Sequence, residues 1–377
     1  MTLPSPVLIE RMQAATASMA GRNTPFIFDE WYCAGFSTDF GPQLVTRKLL
    51  GQQVVFYRTS TGEVVALEDR CAHRSFPLSA GRLECDHIVC GYHGFTYDTH
   101  GNCVKVPSQE RAPKNVGVRR YPLREIGRVV WIWMGDEAKA VNTAPPVQPW
   151  MVDDGWQSST GYLHLKASYI NMHENLLDLS HIEYLHAATL GRGAPGLAAA
   201  PIETKIDGSN ISVGRRVEPA ELAPVFASTT GLGGIKTAAR VSRTDYISPA
   251  FEQVGATYFD GSLPESERAQ FEVRTAHLLT PESQYTTHYF IDHTWNWSIT
   301  DPHLLEVMHR GLFDAFEEDV EGLALVEATL AAREGDPAFY EVSVGSDGPA
   351  VAVRRLLLNR AMAEQATRLL SVPYSEG

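Results

Sequence analysis

Two short stretches each pair a cysteine with a histidine: Glu68-Asp69-Arg70-Cys71-Ala72-His73-Arg74 and Cys90-Gly91-Tyr92-His93-Gly94. Each stretch places one thiolate and one imidazole on a turn, and two such turns can face each other. Two Cys on one iron and two His on the other is a known ligand set for a [2Fe–2S] cluster. A structural zinc site can use the same four side chains, but zinc sites usually pair Cys with Cys and His with His. Here the two types alternate, which favours the cluster.

The segments around these turns favour β-structure. Apolar residues fill 54–57 and 64–67 on either side of a Thr-Gly turn, which predicts a hairpin. Further strands are predicted at 88–90, 95–97 and 129–133. A proline-rich break at 135–149 predicts a domain boundary. We therefore predict an N-terminal extension over residues 1–25, an all-β domain over 26–137 and a second domain over 138–377.

The second domain is predicted to mix helices and strands. A helix is expected near 170–188, several strands between 202 and 293, and a long helix near 303–333. The fold class is therefore predicted as α+β, with an all-β N-terminal domain followed by a helix-grip-like antiparallel sheet with helices.

The composition excludes several classes of protein. Asp and Glu number 45 against 32 Lys and Arg, so we expect no binding to nucleic acid or to an anionic membrane. No apolar run approaches the roughly 20 residues of a membrane span. Glu10 and Arg11 stand where a signal peptide would be apolar. Five cysteines are an odd, low number, which argues against a disulfide scaffold and for a reducing compartment. We expect a cytoplasmic protein.

A second group of metal-binding residue types lies in the run Asn175-Leu-Leu-Asp178-Leu-Ser-His181-Ile-Glu-Tyr-Leu-His186. Two His and one carboxylate with open coordination positions form the site of non-haem Fe(II) oxygenases. On one continuous helix, Asn175, Asp178 and His186 would share a polar patch. His181 would lie about 140° from His186, so both can bind one metal only if the helix bends or ends between them.

The carboxylate ligand is predicted on the long helix near 303–333. Its apolar residues share one face, and Asp319 falls in the middle of that face. A buried acid without a partner is costly, so Asp319 needs a cation or a metal. Glu317, Glu318 and Glu321 point away from this face, and we expect them to form a solvated surface.

Both groups of residues resemble those of the Rieske oxygenase family. The cysteine–histidine turns closely match its N-terminal domain, the run from Asn175 to His186 is similar to its iron motif, and the segment Phe316-Glu-Glu-Asp319-Val resembles the one that carries the third ligand. The resemblance implies a Rieske [2Fe–2S] cluster on Cys71, His73, Cys90 and His93. It also implies a mononuclear Fe(II) on His181, His186 and Asp319.

The resemblance implies roles for further residues. Asp178 would bridge His181 to the partner subunit's His93 in a homotrimer, because the two centres of one subunit are too far apart for fast electron transfer. The length of the chain and Asn175 at the head of the motif look more like the vanillate O-demethylase and dicamba monooxygenase branch. There His277 would contact substrate, and Arg310 replaces an aromatic pocket residue. Two tryptophans, Trp295 and Trp297, are interpreted as lining the pocket or as core.

The same resemblance implies partners. Electrons would pass from NAD(P)H through a separate ferredoxin and/or flavin reductase, because no Gly-x-Gly-x-x-Gly motif follows a predicted strand. Six basic residues between 105 and 124 are interpreted either as a docking surface for an acidic ferredoxin or as a solvated face: Lys105, Arg111, Lys114, Arg119, Arg120 and Arg124.

The expected reaction is O2-dependent monooxygenation of a small aromatic compound by a terminal oxygenase. The preferred form is O- or N-demethylation that releases formaldehyde. Two alternatives stay open at this stage: a ring dihydroxylase or other hydroxylase with the same metals, and a Rieske electron carrier without catalysis.

Overall fold

The computed structural model describes residues 5–193 and 196–371. The chain divides into two compact units. One unit holds residues 28–147 and 280–283, and the other holds the described parts of 1–27, 148–279 and 284–377. Both helices and strands are present, which confirms the predicted α+β class.

The described residues form six α-helices and seventeen strands. The helices are α1 (Pro6–Ala17), α2 (Glu137–Ala140), α3 (Tyr169–Leu177), α4 (Pro224–Thr230), α5 (Pro302–Ala332) and α6 (Gly348–Ser371). The first ten strands are β1 (Trp31–Phe36), β2 (Val45–Leu49), β3 (Gln52–Arg58), β4 (Val64–Glu68), β5 (Arg82–Glu84), β6 (His87–Val89), β7 (Thr96–Tyr97), β8 (Cys103–Lys105), β9 (Leu123–Ile126) and β10 (Val129–Trp133). The others are β11 (Gln157–Leu165), β12 (Ile202–Asp207), β13 (Asn210–Val217), β14 (Ala238–Ser248), β15 (Phe251–Asp260), β16 (Phe271–Pro281) and β17 (Thr287–Trp295).

Three small antiparallel sheets build the unit of residues 28–147. Their strand orders are β1-β10-β9, β2-β3-β4 and β5-β6-β7-β8. The predicted hairpin is confirmed as β3 and β4, with Phe56 opposite Ala66. The predicted strand at 129–133 is β10, and all its residues are buried. Cys71 and Cys90 belong to the apolar core that these sheets enclose, so the two cysteine-bearing turns are anchored in the interior of the unit.

A seven-stranded sheet dominates the other unit, in the order β11-β17-β16-β15-β14-β13-β12. β17 is buried at every position, as expected of a strand between two others with its side chains in the core. Strands β12 to β16 pair antiparallel in succession. Residues of β14, β15, β16 and β17 form one wall of the cavity described below.

The long helix α5 confirms the prediction for 303–333 almost residue for residue. Its start is set by Asp301, whose side chain accepts from the His303 N–H at 2.9 Å, with Pro302 in the first turn. Gly161 on β11 lets the helix lie close to the sheet, because a Cβ there would stand 2.0 Å from the ring of Phe313. The helix thereby buries the face that carries Asp319.

The predicted helix near 170–188 is wrong in its second half. α3 ends at Leu177, and Asp178 is extended with φ −102° and ψ 97°. The Asp178 carboxylate accepts from the Ser180 N–H at 2.8 Å, a local bond that competes with continuation of a helix. The polar patch expected from a continuous helix is therefore wrong as well.

Two further structural features bear on the sequence predictions. No helix in the described part of the chain is long and apolar enough to cross a membrane. Trp295 and Trp297 are buried in the apolar core of the larger sheet unit, which supports packing as their role.

Candidate metal centres and active site

Two loops of the same design carry the cysteine–histidine pairs. In each loop the cysteine N–H donates to the carbonyl of the phenylalanine five residues later, at 2.8 Å for both Cys71 and Cys90. The cysteine carbonyl accepts from the N–H four residues later. That fourth residue, Ser75 or Gly94, has a φ of 55° or 72°, so the backbone turns back in the left-handed region at the same place in both loops.

The structure brings the four residues of these loops together. The rings of His73 and His93 lie 4.7 Å apart between centroids, and both side chains are exposed. Cys71 and Cys90 are buried, and the Tyr97 hydroxyl lies 3.2 Å from the Cys71 sulfur. Burial raises the pKa of Cys90. Two buried thiols beside two exposed imidazoles match the donor set of a Rieske [2Fe–2S] cluster.

A second donor set lies in the other unit. One ligand atom from each of His181, His186 and Asp319 lies within 4.8 Å of the others. The Asp319 Oδ1 atom is 3.5 Å from His181 Nε2 and 3.2 Å from His186 Nε2. Asp319 is only 3% exposed, as the apolar face of α5 predicts. Two imidazoles and one carboxylate that converge in this way match the donor set of a non-haem Fe(II) site.

Both histidines reach this site because α3 ends before either of them. His181 opens a short 3-10 turn at His181–Glu183, and its ring centroid lies 5.1 Å from that of His186. Gly191 closes the loop that follows by donating its N–H to the His186 carbonyl at 2.8 Å. A Cβ at Gly191 would stand 2.1 Å from the Ile182 carbonyl oxygen, so a larger residue would push this loop open.

The Nδ1 atom of each histidine has a hydrogen-bond partner on the side of the ring away from Asp319. His181 Nδ1 bonds the Asp178 backbone carbonyl, and His186 Nδ1 lies 2.8 Å from a Glu318 carboxylate oxygen. The Thr189 hydroxyl donates to the same oxygen at 2.7 Å. These bonds leave Nε2 of each ring directed at Asp319, an arrangement typical of histidine metal ligands. Glu318 is half-buried, so its predicted place on a solvated surface is wrong, whereas Glu317 and Glu321 are exposed as expected.

Asn175 and Asp178 take different positions around this centre. The Asn175 side-chain amide donates to Asp319 Oδ1 at 3.0 Å, so it supports the carboxylate. The Asp178 carboxylate is half-buried and accepts from Ser180, while its backbone carbonyl contacts His181. Asp178 and His181 both line a cavity on this side of the site.

Burial and neighbouring carboxylates shift the pKa values of His181 and His186 in opposite directions. Burial lowers the pKa of His181, and the Asp319 carboxylate only partly offsets it. For His186 burial also opposes the charged form, but the hydrogen bonds that its ring donates to Asp319 and Glu318 outweigh this effect and raise the pKa of His186. The site thus concentrates negative charge around His186, which favours a bound cation.

A small apolar cavity of about 80 Å³ adjoins the three candidate ligands. His277 lines it, stacks on Tyr289 and bonds the Tyr289 hydroxyl through Nδ1. Burial lowers the pKa of His277 to about 3, so its imidazole is neutral at ordinary pH. Most other lining residues are apolar, and five are polar or charged besides the iron set and His277: Arg240, Ser242, Tyr258, Thr275 and His293.

Arg310 and the basic residues lie outside this cavity. Arg310 is exposed and pairs with Glu306 at 2.6 Å one helical turn away, so it does not replace an aromatic wall of the cavity. Among the predicted docking residues, Arg119 donates to the carbonyls of residues 134 and 135, and Arg120 pairs with Glu63 at 2.7 Å. The remaining four are exposed: Lys105, Arg111, Lys114 and Arg124.

Two parts of the chain match known families. Residues 30–122 match the Rieske [2Fe-2S] domain, and residues 165–364 match the vanillate O-demethylase oxygenase C-terminal domain. The first range contains both cysteine–histidine loops, and the second contains His181, His186 and Asp319.

The chain is also similar to individual proteins. A putative toluene-4-sulfonate monooxygenase system iron-sulfur subunit of Comamonas testosteroni is 34% identical over 77% of this chain and 84% of that protein. A vanillate O-demethylase oxygenase subunit of a Pseudomonas species is 28% identical over 84% of this chain and 97% of its own. A crystal structure of dicamba monooxygenase with non-heme iron and dicamba superposes with a TM-score of 0.75 and 25% identity, over 91% of this chain and 99% of that one. The domain match covers more than half of the sequence, so this chain belongs to the vanillate O-demethylase family of Rieske oxygenases and is an oxidoreductase.

Proposed function

We propose that this chain is the terminal oxygenase of a multicomponent Rieske system and removes a methyl group from oxygen or nitrogen of a small aromatic compound. The observation that carries the proposal is the convergence of His181, His186 and Asp319 beside an apolar cavity. An electron carrier without catalysis needs no such cavity. The similarity to a vanillate O-demethylase oxygenase subunit supports demethylation as the reaction.

The metal centres would be held by the residues described above, with the cluster on Cys71, His73, Cys90 and His93. His181, His186 and Asp319 would hold a mononuclear Fe(II), which would supply O2-dependent oxidising chemistry for hydroxylating a substrate C–H bond. Asn175 and Glu318 orient two of the ligands. Asn175 donates to Asp319 Oδ1, the oxygen that faces both histidines, and Glu318 bonds His186 at Nδ1, away from the Nε2 atom that faces Asp319. The apolar walls of the cavity exclude water, and His277 offers a neutral imidazole as a contact for substrate.

The demethylation uses one O2, two electrons and two protons. Hydroxylation of the methyl group gives a hemiacetal or hemiaminal, which breaks its C–O or C–N bond and releases formaldehyde with the phenol or amine. The second oxygen atom leaves as water. Electrons come from NAD(P)H through a separate ferredoxin and/or flavin reductase in this proposal. The exposed residues Lys105, Arg111, Lys114 and Arg124 are the proposed contact for an acidic ferredoxin.

The proposal includes a homotrimer in which Asp178 meets the partner subunit's His93. Two properties of this chain support it: the His93 ring is exposed, and the Asp178 carboxylate lines a cavity beside His181. An electron passing between subunits would then leave an exposed imidazole and arrive one hydrogen bond away from an iron ligand. Equilibrium sedimentation of the purified protein tests the trimer, and a monomer would contradict it.

We also propose domain limits of 1–25, 26–137 and 138–377, and a cytoplasmic location. The odd, low number of cysteines, five in all with two of them proposed as cluster ligands, supports a reducing compartment. Limited proteolysis tests the limits, because cleavage should concentrate near residues 25 and 138.

A second candidate reaction is hydroxylation of a methyl group bound to carbon. The similarity to a toluene-4-sulfonate monooxygenase subunit favours it. The same metals and cavity would serve, but the hydroxymethyl product would be stable and formaldehyde would not be released. Formaldehyde therefore separates the two candidates.

The decisive assay combines the purified chain with a generic reductase, NADH and a panel of methoxy- and N-methyl-arenes. We expect O2 uptake coupled to formaldehyde release in equal amounts for at least one compound, and neither for Asp319→Ala. A Glu321→Ala variant is the matched control, since Glu321 lies on the same helix but is exposed. O2 uptake with hydroxylated product and no formaldehyde would favour the second candidate. A loaded cluster without substrate-dependent O2 uptake would contradict both.

A further inference from the structure

A buried arginine lines the cavity next to the candidate iron ligands. Arg240 on β14 is 6% exposed, and its Nε donates to the Ser242 hydroxyl at 2.8 Å. The residues that the structure describes place no carboxylate within ion-pair distance of it. Among the described residues that line the cavity, Asp319 is the only acid, and it lies with Asn175 and the two histidines.

An unpaired arginine in such a place needs a counter-ion. The guanidinium keeps its proton at any ordinary pH, so it cannot escape burial by becoming neutral. A buried charge without a partner is costly. Arg240 has five N–H donors, and the Ser242 hydroxyl occupies one of them. The charge and the remaining donors are therefore available to whatever fills the cavity.

We propose that Arg240 binds an oxyanion carried by the substrate, so that the substrate class is an aromatic carboxylate or sulfonate. This inference rests on the proposed function, because it places the substrate in the cavity beside the iron residues. The flat fork of a guanidinium can donate two parallel bonds to two oxygens of either group. Ser242 fixes the guanidinium from one side, so the fork is held in place before the ligand binds.

The strand register places Arg240 and His277 at different ends of the sheet wall that lines the cavity. Arg240 lies opposite Tyr258 on β15, and His277 lies opposite Glu252 on the same strand. The two rows are six residues apart, or about 20 Å along the sheet. The Arg240 side chain shortens this distance, because it extends from its own row toward Ser242. A substrate anchored at Arg240 would direct its aromatic ring along the cavity toward His277.

The cavity walls between Arg240 and His277 are apolar and suit an aromatic ring. Val254, Ala256 and Val273 line the cavity from β15 and β16, and Phe226 stacks on Tyr258 with centroids 4.6 Å apart. An apolar middle with a cation at one end and metal ligands at the other selects an amphipathic aromatic whose anionic group and methyl group stand on different sides of the ring.

Binding to the metal-loaded protein without reductase tests the inference separately from turnover. Calorimetric titrations would compare 4-methoxybenzoate, 4-methoxybenzenesulfonate and the uncharged 4-methoxybenzamide. Wild-type protein should bind at least one anion about 10- to 100-fold more tightly than the amide, the range expected for a charge-assisted pair. Arg240→Gln should remove this preference and leave the amide affinity unchanged, and Arg240→Lys should retain part of it. Arg310→Gln is the control, because Arg310 is an exposed arginine of the same unit.

The outcomes separate the anion site from the reaction. Equal wild-type affinity for anions and amide would overturn the inference even if Arg240→Gln failed to fold, because this comparison needs no variant. A preference that persists in Arg240→Gln would overturn it too. If the wild type binds the anions and the amide with equal affinity but releases formaldehyde from uncharged ethers, the anion site is refuted and the proposed function is supported. An anion preference lost in Arg240→Gln, without O2 uptake in the wild type, would support the anion site and contradict the oxygenase.

Discussion

Replacing Glu318 with alanine is expected to weaken binding of the mononuclear iron, although Glu318 is not one of the three candidate ligands. Its carboxylate holds His186 Nδ1 at 2.8 Å and accepts from Thr189 at 2.7 Å. A hydrogen bond to a charged group contributes about 1.5–3 kcal/mol. Loss of a group that supports a metal-bound histidine typically costs roughly 10–100-fold in metal affinity or activity. We therefore expect Glu318→Ala to raise the iron dissociation constant by about 10–100-fold, and Glu318→Gln to have a smaller effect because its amide oxygen can still accept.

The assay is competition for Fe(II) with a chelator under anaerobic conditions, with bound iron measured after separation. Glu317→Ala is the matched control, since Glu317 is the preceding residue on α5 and is exposed. The visible absorption of the cluster should be the same in the wild type and in all three variants, which reports that they remain folded. An iron dissociation constant for Glu318→Ala within twofold of that for Glu317→Ala would refute the reasoning.

Three other perturbations test the carboxylate ligand, a buried histidine and the basic surface. Asp319→Ala should abolish bound mononuclear iron while the cluster absorption persists; iron content equal to that of the wild type would show that Asp319 is not a ligand. Burial lowers the pKa of His293 to about 3, so below pH 6.5 the unfolded chain binds a proton that the folded chain does not, and stability falls as the pH drops from 6.5 toward 3. The unfolding free energy, measured in denaturant titrations, should fall from pH 7 to pH 5 in both proteins, and the fall should be about 2 kcal/mol smaller in His293→Gln than in the wild type. An equal fall in the two proteins would contradict this. Reversing two exposed charges, Lys105→Glu with Arg111→Glu, should raise the KM for an acidic ferredoxin at low salt with a smaller effect at high salt; a KM that does not change at low salt would exclude this surface.

The sequence predicts most of the fold because its signals are local. Periodic apolar residues locate α5, and the same periodicity finds Asp319, since an acid inside an apolar stripe is visible on a helical projection. The hairpin of β3 and β4 follows from two apolar runs around a tight turn. The cysteine–histidine turns are recognisable because the cysteine and the histidine of each pair lie within four residues of each other in the sequence.

The residues that support the site are harder to predict because they depend on tertiary contacts. Glu318 lies outside the apolar face of α5, and only the fold of residues 181–189 brings His186 and Thr189 to it. The end of α3 depends on the hydrogen bond from the Ser180 N–H to the Asp178 carboxylate. The periodicity of apolar residues gives no sign of this bond, although the Asp-x-Ser pattern indicates it. Arg240 has a weak signal in the alternation Arg240-x-Ser242-x-Thr244, which places polar side chains on one face of a strand.

Metal and sulfide analysis of the purified chain tests the central claim most directly. We predict two labile sulfides and three irons per chain, two in the cluster and one at His181, His186 and Asp319. Asp319→Ala should lose one of the three irons and no sulfide. Zinc in place of iron, or two irons per chain in both proteins, would contradict the account.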